Sequence, residues 1–242
     1  MNFCPVPHTQ RDLAWLGIGI FIGSSLYYFK KSKGEAKSGS EVQRQLSKQD
    51  PAGLSQRSAA ADGKVYFSYS DVHSSICSLA SRIKSEFKPD VIIAIGGGGF
   101  IPARMLRTEI KVPILAVSLE LYDDSTNTAR TTVVRKQWYD IDSELGKLVK
   151  GGRVLIVDEV DDTRATLEYC VKEVQKDGPS AICVAVVHNK AKPKKGALPD
   201  GVVYLAGEEV PNMWNCYPWD AAAYGRSIYE HEELAKGCRE GL

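Results

Sequence analysis

The chain has 242 residues, 43% of them hydrophobic and 25% charged, which is enough to bury one good-sized core with an additional segment. A formal net charge of +1 argues against the broad basic surface that a duplex-binding protein needs, so we expect no nucleic-acid partner. The 6 cysteines show neither zinc-ligand spacing nor a CxxC motif, which favours reduced thiols in an intracellular protein over a disulfide framework.

The N-terminal segment, residues 1–30, contains an uncharged run from Leu13 to Phe29 with aromatic residues near both ends. A lysine cluster follows the run and a single arginine, Arg11, precedes it, which is typical of a short membrane span with the rest of the chain on the cytosolic side. A cleaved secretory signal, a buried core helix or an imperfect translation start would produce a similar pattern. We favour a membrane anchor through residues 13–29 and a cytoplasmic location for the remainder of the chain.

Residues 31–63 contain few large apolar residues and are rich in Ser, Gln, Lys and Gly, which predicts a solvated polar linker. From residue 64 onward strand patterns alternate with helix patterns, so we interpret residues 64–242 as one domain. Such alternation predicts an α/β fold with a mainly parallel central sheet flanked by helices. Function is then expected at the carboxyl ends of the strands.

The first predicted elements of this domain surround a glycine-rich turn. A short strand in VYFSY precedes a helix whose apolar face follows a cap at Ser70 and Asp71. A buried strand from Val91 to Ile95 then leads through IGGGGF into a helix from about Ile101 to Thr108. Strand, glycine loop and helix in this order are typical of an anion-binding site.

The second half of the domain repeats the alternation. Its predicted strands are VPILAVSLELY, RVLIVDEV, AICVAVVHNK and VVYLAGEEV, with a helix in DTRATLEYCVKEVQKDG that ends at Gly178.

Acidic side chains stand where the strand RVLIVDEV ends. Asp158 and Glu159 are expected at the open edge of the sheet, facing a ligand. The following DDTRAT predicts a strand-to-helix turn whose N–H groups, with the hydroxyls of Thr163 and Thr166, suit a phosphate. Carboxylates repel a bare phosphate, so we expect them to hold sugar hydroxyls or a magnesium ion that bridges to the ligand. The pattern therefore predicts a sugar phosphate with a second anionic group.

The segment VLIVDEVDDTRATL resembles the signature for 5-phosphoribosyl-1-pyrophosphate (PRPP) of the type I phosphoribosyltransferases, and DEVDDTR resembles the fungal 6-oxopurine branch. YFSYSDVH, PDVIIAIGGGGFIPARMLR, RKQWYD, VVHNKAKPKKGALPD and VPNMWNCYPWD agree with that family, in order from about Lys64 to Asp220. The resemblance implies the type I phosphoribosyltransferase fold with a small purine-binding hood. It also implies transfer of the phosphoribosyl group from PRPP to hypoxanthine, guanine or xanthine.

The resemblance also implies roles for individual residues. Asp162 would be the catalytic general base that accepts the purine N7 proton. Gly97 stands where many relatives have Arg or Lys, so Arg135 or Lys136 would supply positive charge for the leaving group, unless these are solvated loop charges. Arg164 replaces the glycine of many relatives, which we interpret as a mark of the fungal branch. Asp161 stands where many relatives have an apolar residue, and we interpret it as accessory. The residues implied to bind PRPP are Asp158, Glu159, Asp161, Asp162, Thr163, Arg164, Ala165, Thr166, Gly97, Gly98, Arg135 and Lys136.

For the purine, the resemblance implies Lys192 at O6, with Lys190 as second choice, Trp214 stacked on the ring and Asn215 in backbone contact. The implied cofactor is Mg²⁺, held by Asp158, Glu159 and Asp220, although Asp220 could instead cap the final helix. The family also implies a homo-oligomer, either dimer or tetramer.

Two other functions are compatible with parts of the sequence. A PRPP-binding regulator without catalysis would keep the PRPP signature, but it would not need Asp162, Lys192 and Trp214. A membrane adaptor with a relic α/β domain would be expected to have lost its strand-end acids, and Asp158 and Glu159 are present. We therefore rank the enzyme first.

Overall fold

The computed structural model describes residues 57–123 and 128–240. The predictions for residues 1–30, including a membrane span at 13–29, lie outside the described residues, as does most of the predicted linker. Within the described part, none of the helices combines the length and apolar character that a membrane crossing requires.

The apolar runs form the central sheet, whose strands are buried on both faces as in other parallel sheets. The 6-stranded sheet has the order β4-β3-β2-β5-β6-β7, and all neighbours are parallel except β3 and β4, which are antiparallel. The strands are β2 (Val91–Gly96), β3 (Ile114–Asp123), β4 (Thr128–Gln137), β5 (Arg153–Asp161), β6 (Ala181–Lys190) and β7 (Val203–Val210).

Helices cover both faces of this sheet, which confirms the predicted α/β class. One face packs against α1 (Tyr69–Glu86) and α2 (Phe100–Ile110), and the other face packs against α3 (Ala165–Gln175). Alternate residues of β2 show the division, because Ile92 belongs to the first core cluster and Ile93 to the second. Two short 3-10 helices, Gly146–Leu148 and Pro218–Tyr224, and the C-terminal helix α4 (Ile228–Glu240) complete the domain.

A separate 2-stranded parallel sheet joins the start of the domain to its end. Its strands are β1 (Lys64–Tyr66) and β8 (Trp214–Cys216), in the register Lys64↔Trp214 and Tyr66↔Cys216. Tyr66 and Cys216 form a small buried cluster with Ala235 and Cys238 of α4. This sheet fixes the segment that follows β8 above the carboxyl ends of the central strands, where the resemblance implied a hood.

The start of α1 differs from its prediction. Ser68, not Ser70 with Asp71, is the N-cap: its hydroxyl accepts a hydrogen bond from the Asp71 N–H at 3.0 Å, and the Asp71 carboxylate accepts one from the Ser68 N–H at 2.9 Å. This capping box moves Asp71 into the first turn of the helix. The sequence analysis also did not predict β4 or β8, since β4 is a polar edge strand and β8 has only 3 residues. The expected final helix is present as α4, but Asp220 does not cap it, because Asp220 lies in the 3-10 helix Pro218–Tyr224 and α4 begins at Ile228.

Asp71 also pairs with Arg57 at 3.1 Å and with Arg239 at 3.4 Å, so one carboxylate ties α1 to both ends of the described chain. Burial raises the pKa of this carboxyl, but hydrogen bonds from Ser68 and Arg57 outweigh it and the pKa lies below the ordinary 3.8. A lowered carboxyl pKa stabilises the fold above the ordinary value, and that stabilisation is lost as pH falls through the folded value.

We predict that Asp71→Asn lowers the free energy of unfolding at pH 7 by about 1–2 kcal/mol, measured by urea denaturation. The difference from wild type should shrink as the pH falls below about 4, because protonated Asp71 has already lost its charge. Asp142→Asn, at an exposed position, serves as the control. A difference between wild type and Asp71→Asn that stays constant from pH 7 to pH 3 would show that the charge of Asp71 contributes nothing.

Candidate functional site

A cavity of about 660 Å³ opens at the carboxyl ends of the central strands. Its walls come from the glycine turn after β2, from β3 and β4, from the end of β5 with the start of α3, and from β8 with the 3-10 helix after it. Most of the predicted site residues line it, namely Gly97, Lys136, Asp158, Glu159, Asp161, Asp162, Thr163, Arg164, Thr166, Trp214, Asn215 and Asp220. The lining does not include Gly98, Ala165, Arg135 or Lys192.

The acidic pair at the end of β5 is partly withdrawn from water. Burial, together with the nearby charge of Asp161, raises the pKa of Asp158 to about 7. Burial and the charges of Asp158 and Asp220 raise the pKa of Glu159 to about 8. Among the side chains that the structure describes, neither carboxylate has an ion-pair partner. The pair therefore binds protons more tightly than free carboxyls do, and a ligand or cation that takes up its negative charge would reverse this.

Glu159 is held in one place from several directions. Its carboxylate accepts a hydrogen bond from Trp219 Nε1 at 3.2 Å, and its carbonyl accepts one from the Tyr217 hydroxyl at 3.4 Å. The rings of Tyr217 and Trp219 are stacked, with centroids 4.9 Å apart and an interplanar angle of 3°. On the opposite side, a Cβ at Gly98 would lie 2.1 Å from Glu159 Cδ, so glycine makes room for the carboxylate. Gly98 thus shapes the site without lining it.

The turn between β5 and α3 forms the wall beside the acidic pair. The carbonyl of Thr163 accepts hydrogen bonds from the N–H groups of Lys195 and Gly196 at 3.0 and 3.1 Å. Arg164 is the N-cap residue of α3 and has φ +68°, in the left-handed region. The N-terminus of α3 therefore contributes to the cavity wall, and a helix N-terminus favours negatively charged groups such as phosphate.

Asp162 is paired with lysines from the end of β6. Its Oδ1 is in contact with Lys192 Nζ, and its Oδ2 lies 3.6 Å from Lys190 Nζ. Burial raises the pKa of Asp162, but the hydrogen bond from Lys192 and the charge of Lys190 outweigh it, so the net pKa is lowered. Lys190 lines the cavity and lies 5.9 Å above the Trp214 ring, whereas Lys192 reaches Asp162 from outside the lining. The structure thus places the second-choice lysine closer to the candidate purine position.

The aromatic wall of the cavity is made by Trp214 and its neighbour Tyr224. Trp214 is 57% exposed and donates from Nε1 to the Tyr224 hydroxyl at 2.9 Å. An exposed indole face on a cavity wall is available to stack on a flat ligand. Asn215 lies beside it in β8 and also lines the cavity.

The glycine turn and the antiparallel strands form the far end of the cavity, where the peptide bond between Gly96 and Gly97 is cis. Lys136 lines this end and pairs with Glu120 at 2.8 Å. Arg135, one residue earlier in β4, projects to the other face, where it pairs with Glu173 at 3.6 Å and lies 5.4 Å from the Trp138 ring centroid. Alternation along β4 thus directs only one of the two predicted cations into the cavity.

Residues that the sequence analysis missed include Tyr217, Trp219 and Lys194. Lys194 Nζ donates to the carbonyl oxygens of Asp161 at 2.7 Å and Lys190 at 2.9 Å. It thereby joins the end of β6 to the turn between β5 and α3 and stabilises that turn. Lys194 lies in VVHNKAKPKKGALPD, which agrees with the family, but no local pattern distinguishes it from its neighbours. Tyr217 and Trp219 lie in VPNMWNCYPWD, and only the pairing of β1 with β8 brings them to Glu159.

Comparison with known proteins gives concordant matches. Residues 68–220 match the family described as the phosphoribosyl transferase domain. The chain is 40% identical over 208 residues to xanthine phosphoribosyltransferase 1 of Saccharomyces cerevisiae, an alignment that covers 73% of this chain and 97% of that relative. It is 40% identical over 196 residues to a hypoxanthine-guanine phosphoribosyltransferase of Schizosaccharomyces pombe, covering 70% of this chain and 93% of the relative.

A similar solved structure is that of a hypothetical protein from Neisseria gonorrhoeae with bound ppGpp. It is 43% identical to this chain, with a TM-score of 0.64 over 72% of this chain and 96% of that chain. The likeness to this solved structure agrees with the α/β architecture described above. The two relatives are named for three purine bases, xanthine, hypoxanthine and guanine.

We predict that Trp219→Phe weakens the binding of PRPP about tenfold, measured by titration calorimetry with magnesium chloride present. The substitution keeps a ring against Tyr217 but removes the indole N–H, whose hydrogen bond lowers the pKa of Glu159. The carboxyl would then be protonated more often and held less firmly. Trp138→Phe is the matched control, because Trp138 stacks on Tyr139 outside the cavity lining. Equal dissociation constants for Trp219→Phe and wild type would refute this role for the indole.

Proposed function

Because this chain belongs to the phosphoribosyltransferase family, we propose that it is a purine salvage enzyme that transfers the 5-phosphoribosyl group of PRPP to hypoxanthine, guanine or xanthine. The products are the nucleoside monophosphate and pyrophosphate. One observation carries the proposal: the acidic pair, the turn before α3 and the Asp162–Lys190 pair all lie around a single cavity. Relatives 40% identical to the chain are named for transfer to xanthine and to hypoxanthine and guanine.

PRPP would lie along the end of β5 and the start of α3. The 5-phosphate would take the N–H groups of the turn from Asp162 to Thr166, where a helix N-terminus favours an anion. The ribose hydroxyls would donate hydrogen bonds to the acidic pair, Asp158 and Glu159. The pyrophosphate would then extend toward Gly97 and Lys136, at the far end of the cavity. This placement separates the phosphate from the carboxylates by the length of the sugar.

Mg²⁺ is the proposed cofactor, and the donor set fits it in one particular way. Among the described residues, no group of three or more His, Cys, Asp or Glu side chains is arranged to enclose a metal ion by itself. Magnesium is usually held by one or two carboxylates with substrate phosphates and water. Asp158 and Glu159 fit this role, because their raised pKa values show that their negative charge lacks compensation, which a cation would supply. When bound, the ion would neutralise charge on the departing pyrophosphate. Asp220, whose pKa is raised by burial, faces the same cavity.

The purine would stack on Trp214 with its O6 toward Lys190. Asp162 would accept the N7 proton while N9 attacks C1 of the ribose. The pairing of Asp162 with Lys190 and Lys192 lowers its pKa and makes it a weak base. When the purine O6 draws the Lys190 ammonium away, the carboxylate loses part of that stabilisation and becomes more basic. Base binding would thus activate the group that takes its proton.

Positive charge for the leaving group is proposed to come from Lys136, because it lines the cavity next to Gly97 and Arg135 does not. The Lys136–Glu120 pair would open as pyrophosphate forms, and the ammonium would pass from one anion to the other. Such stabilisation of developing charge contributes strongly to transfer reactions.

A PRPP-binding regulator remains the alternative, but the structure gives it less support. A regulator needs only the PRPP half of the cavity, whereas Asp162, Lys190 and Trp214 form a second half that fits a purine. A relative 43% identical to this chain has bound ppGpp, a guanine nucleotide, which also favours a purine-binding protein.

The remaining proposals concern organisation. The catalytic domain would comprise residues 64–242, in agreement with the family match over residues 68–220. We further propose a homo-oligomer, dimer or tetramer, as the family resemblance implies, and a cytoplasmic catalytic domain anchored through residues 13–29. Sedimentation of the purified chain and fractionation of cells that express it with and without residues 1–30 would check the assembly and the anchor.

We predict that the purified full-length chain, with PRPP and magnesium, converts at least one of hypoxanthine, guanine and xanthine to its monophosphate and leaves adenine unchanged. Asp162→Asn should lower kcat about 10²-fold or more, because an amide cannot accept the N7 proton. Chromatography of the nucleotides gives both answers, with Asp142→Asn as the control. No product from any base, despite measurable PRPP binding, would favour the regulator.

We predict that Lys136→Met lowers kcat/KM for PRPP on the order of 10²-fold, because a charge on the leaving group goes unmatched. Arg135→Met is the matched control, since it removes a cation from the same strand on the other face, and it should stay within about threefold of wild type. Initial rates at varied PRPP give the comparison. Equal losses in the two variants would mean that the face of β4 on which the charge lies is irrelevant.

A further inference from the structure

Asp161 differs from the other acids at the end of β5, because its side chain is buried and occupied. The residue is 1% exposed, and its Oδ2 accepts hydrogen bonds from Arg164 Nε at 2.9 Å and Nη2 at 2.6 Å. The same oxygen accepts a hydrogen bond from the Tyr204 hydroxyl at 2.8 Å, and Lys194 Nζ lies 3.6 Å from Oδ1. Oδ2 is thus fully used, whereas Oδ1 has no hydrogen-bond partner among the described residues. Because the side chain is fully buried, a ligand in the cavity does not reach Oδ1.

Arg164 has an unusual backbone for its residue type. It begins α3 with φ +68° and ψ −2°, in the left-handed region where a Cβ is disfavoured. Its guanidinium turns back to Asp161, three residues earlier, and lies 4.6 Å from the centroid of the Tyr204 ring. The side chain is thus tied at its end, and this tie holds the backbone in a conformation that an untethered arginine would rarely adopt.

A second set of contacts holds the same turn from the segment after β6. Lys194 Nζ donates to the Asp161 carbonyl at 2.7 Å, and the N–H groups of Lys195 and Gly196 donate to the Thr163 carbonyl at 3.0 and 3.1 Å. These bonds fix the carbonyl side of the turn. The Asp161–Arg164 pair fixes Arg164, the N-cap residue of α3. The two sets of contacts together therefore determine the direction of the first N–H groups of the helix.

We propose that Asp161, Arg164 and Tyr204 form a positioning unit that holds the phosphate-binding turn in its active conformation, and that neither Asp161 nor the Arg164 guanidinium contacts PRPP. The proposal rests on the proposed function, because it takes the 5-phosphate of PRPP as the ligand of the turn. It replaces the roles as PRPP ligands that the family resemblance implied for these two side chains.

The test compares the dissociation constants for PRPP of Asp161→Asn, Arg164→Gly and the double variant with that of wild type. Asp161→Asn removes the charge that tethers Arg164 and should raise the dissociation constant for PRPP roughly tenfold, which is the cost of an untethered left-handed arginine. The double variant should return to within about threefold of wild type, because glycine adopts this backbone without a tether. If the guanidinium instead contacts the phosphate, the double variant will bind PRPP at least as weakly as Asp161→Asn.

Amide hydrogen exchange without ligand tests the positioning unit independently of PRPP. Exchange of the peptide that contains residues 162–167 should be faster in Asp161→Asn than in wild type and should be slow again in the double variant. Should Asp161→Asn fail to fold, Tyr204→Phe removes only one hydroxyl from the unit and should give a smaller change in the same direction. Unchanged exchange in folded Asp161→Asn, or in Tyr204→Phe if Asp161→Asn does not fold, would overturn the proposal.

The two measurements separate the failure of this inference from the failure of the proposed function. If wild type does not bind PRPP but the exchange pattern is as expected, the proposed function is refuted and the positioning unit is supported. If wild type binds PRPP but the double variant is not rescued, the positioning unit is refuted and the proposed function is supported.

Discussion

The site depends on one constraint, which is that two neighbouring carboxylates, Asp158 and Glu159, lie in the cavity with no ion-pair partner among the described side chains. Asp158 and Glu159 lie near the carboxyl end of β5, and their pKa values rise to about 7 and 8 because burial disfavours their charged forms. A hydrogen bond from Trp219 Nε1 to the Glu159 carboxylate offsets part of this cost, and Gly98 leaves space for the carboxylate. The Tyr217 hydroxyl bonds to the backbone carbonyl of Glu159 and so fixes the position of the residue. A site built in this way is stabilised by the hydroxyl groups and cation of an incoming ligand.

The segment that follows β8 supplies those hydrogen bonds. It is held in place because β1, at the start of the domain, pairs with β8, near its end. The β1–β8 sheet and α4 hold the segment of Tyr217 and Trp219 above the central sheet. The Tyr217 hydroxyl lies 2.7 Å from Nδ1 of the buried His188 ring. Phe67 stacks on that histidine, with ring centroids 3.9 Å apart. The position of one carboxylate is therefore connected to the core through aromatic packing.

The cations around the cavity have different partners, because they lie on different elements of the fold. Arg164 is tied to Asp161, Lys190 faces the candidate purine position and Lys136 faces the glycine turn. The two departures from the family pattern at Asp161 and Arg164 are linked, because the carboxylate holds the arginine in a conformation that glycine would adopt unaided. An acid in place of an apolar residue and an arginine in place of glycine thus compensate each other.

The sequence by itself determined the apolar strands of the central sheet, all but the polar edge strand β4, and the turn after β5, because continuous apolar runs and adjacent acidic and hydroxyl residues are local signals. Only the tertiary structure decided which of two neighbouring cations enters the cavity: Lys136 rather than Arg135, and Lys190 rather than Lys192. Those choices depend on strand alternation and on the course of the chain after β6. The contact of Trp219 with Glu159 depends on pairing between residues far apart in the chain, which no local pattern encodes.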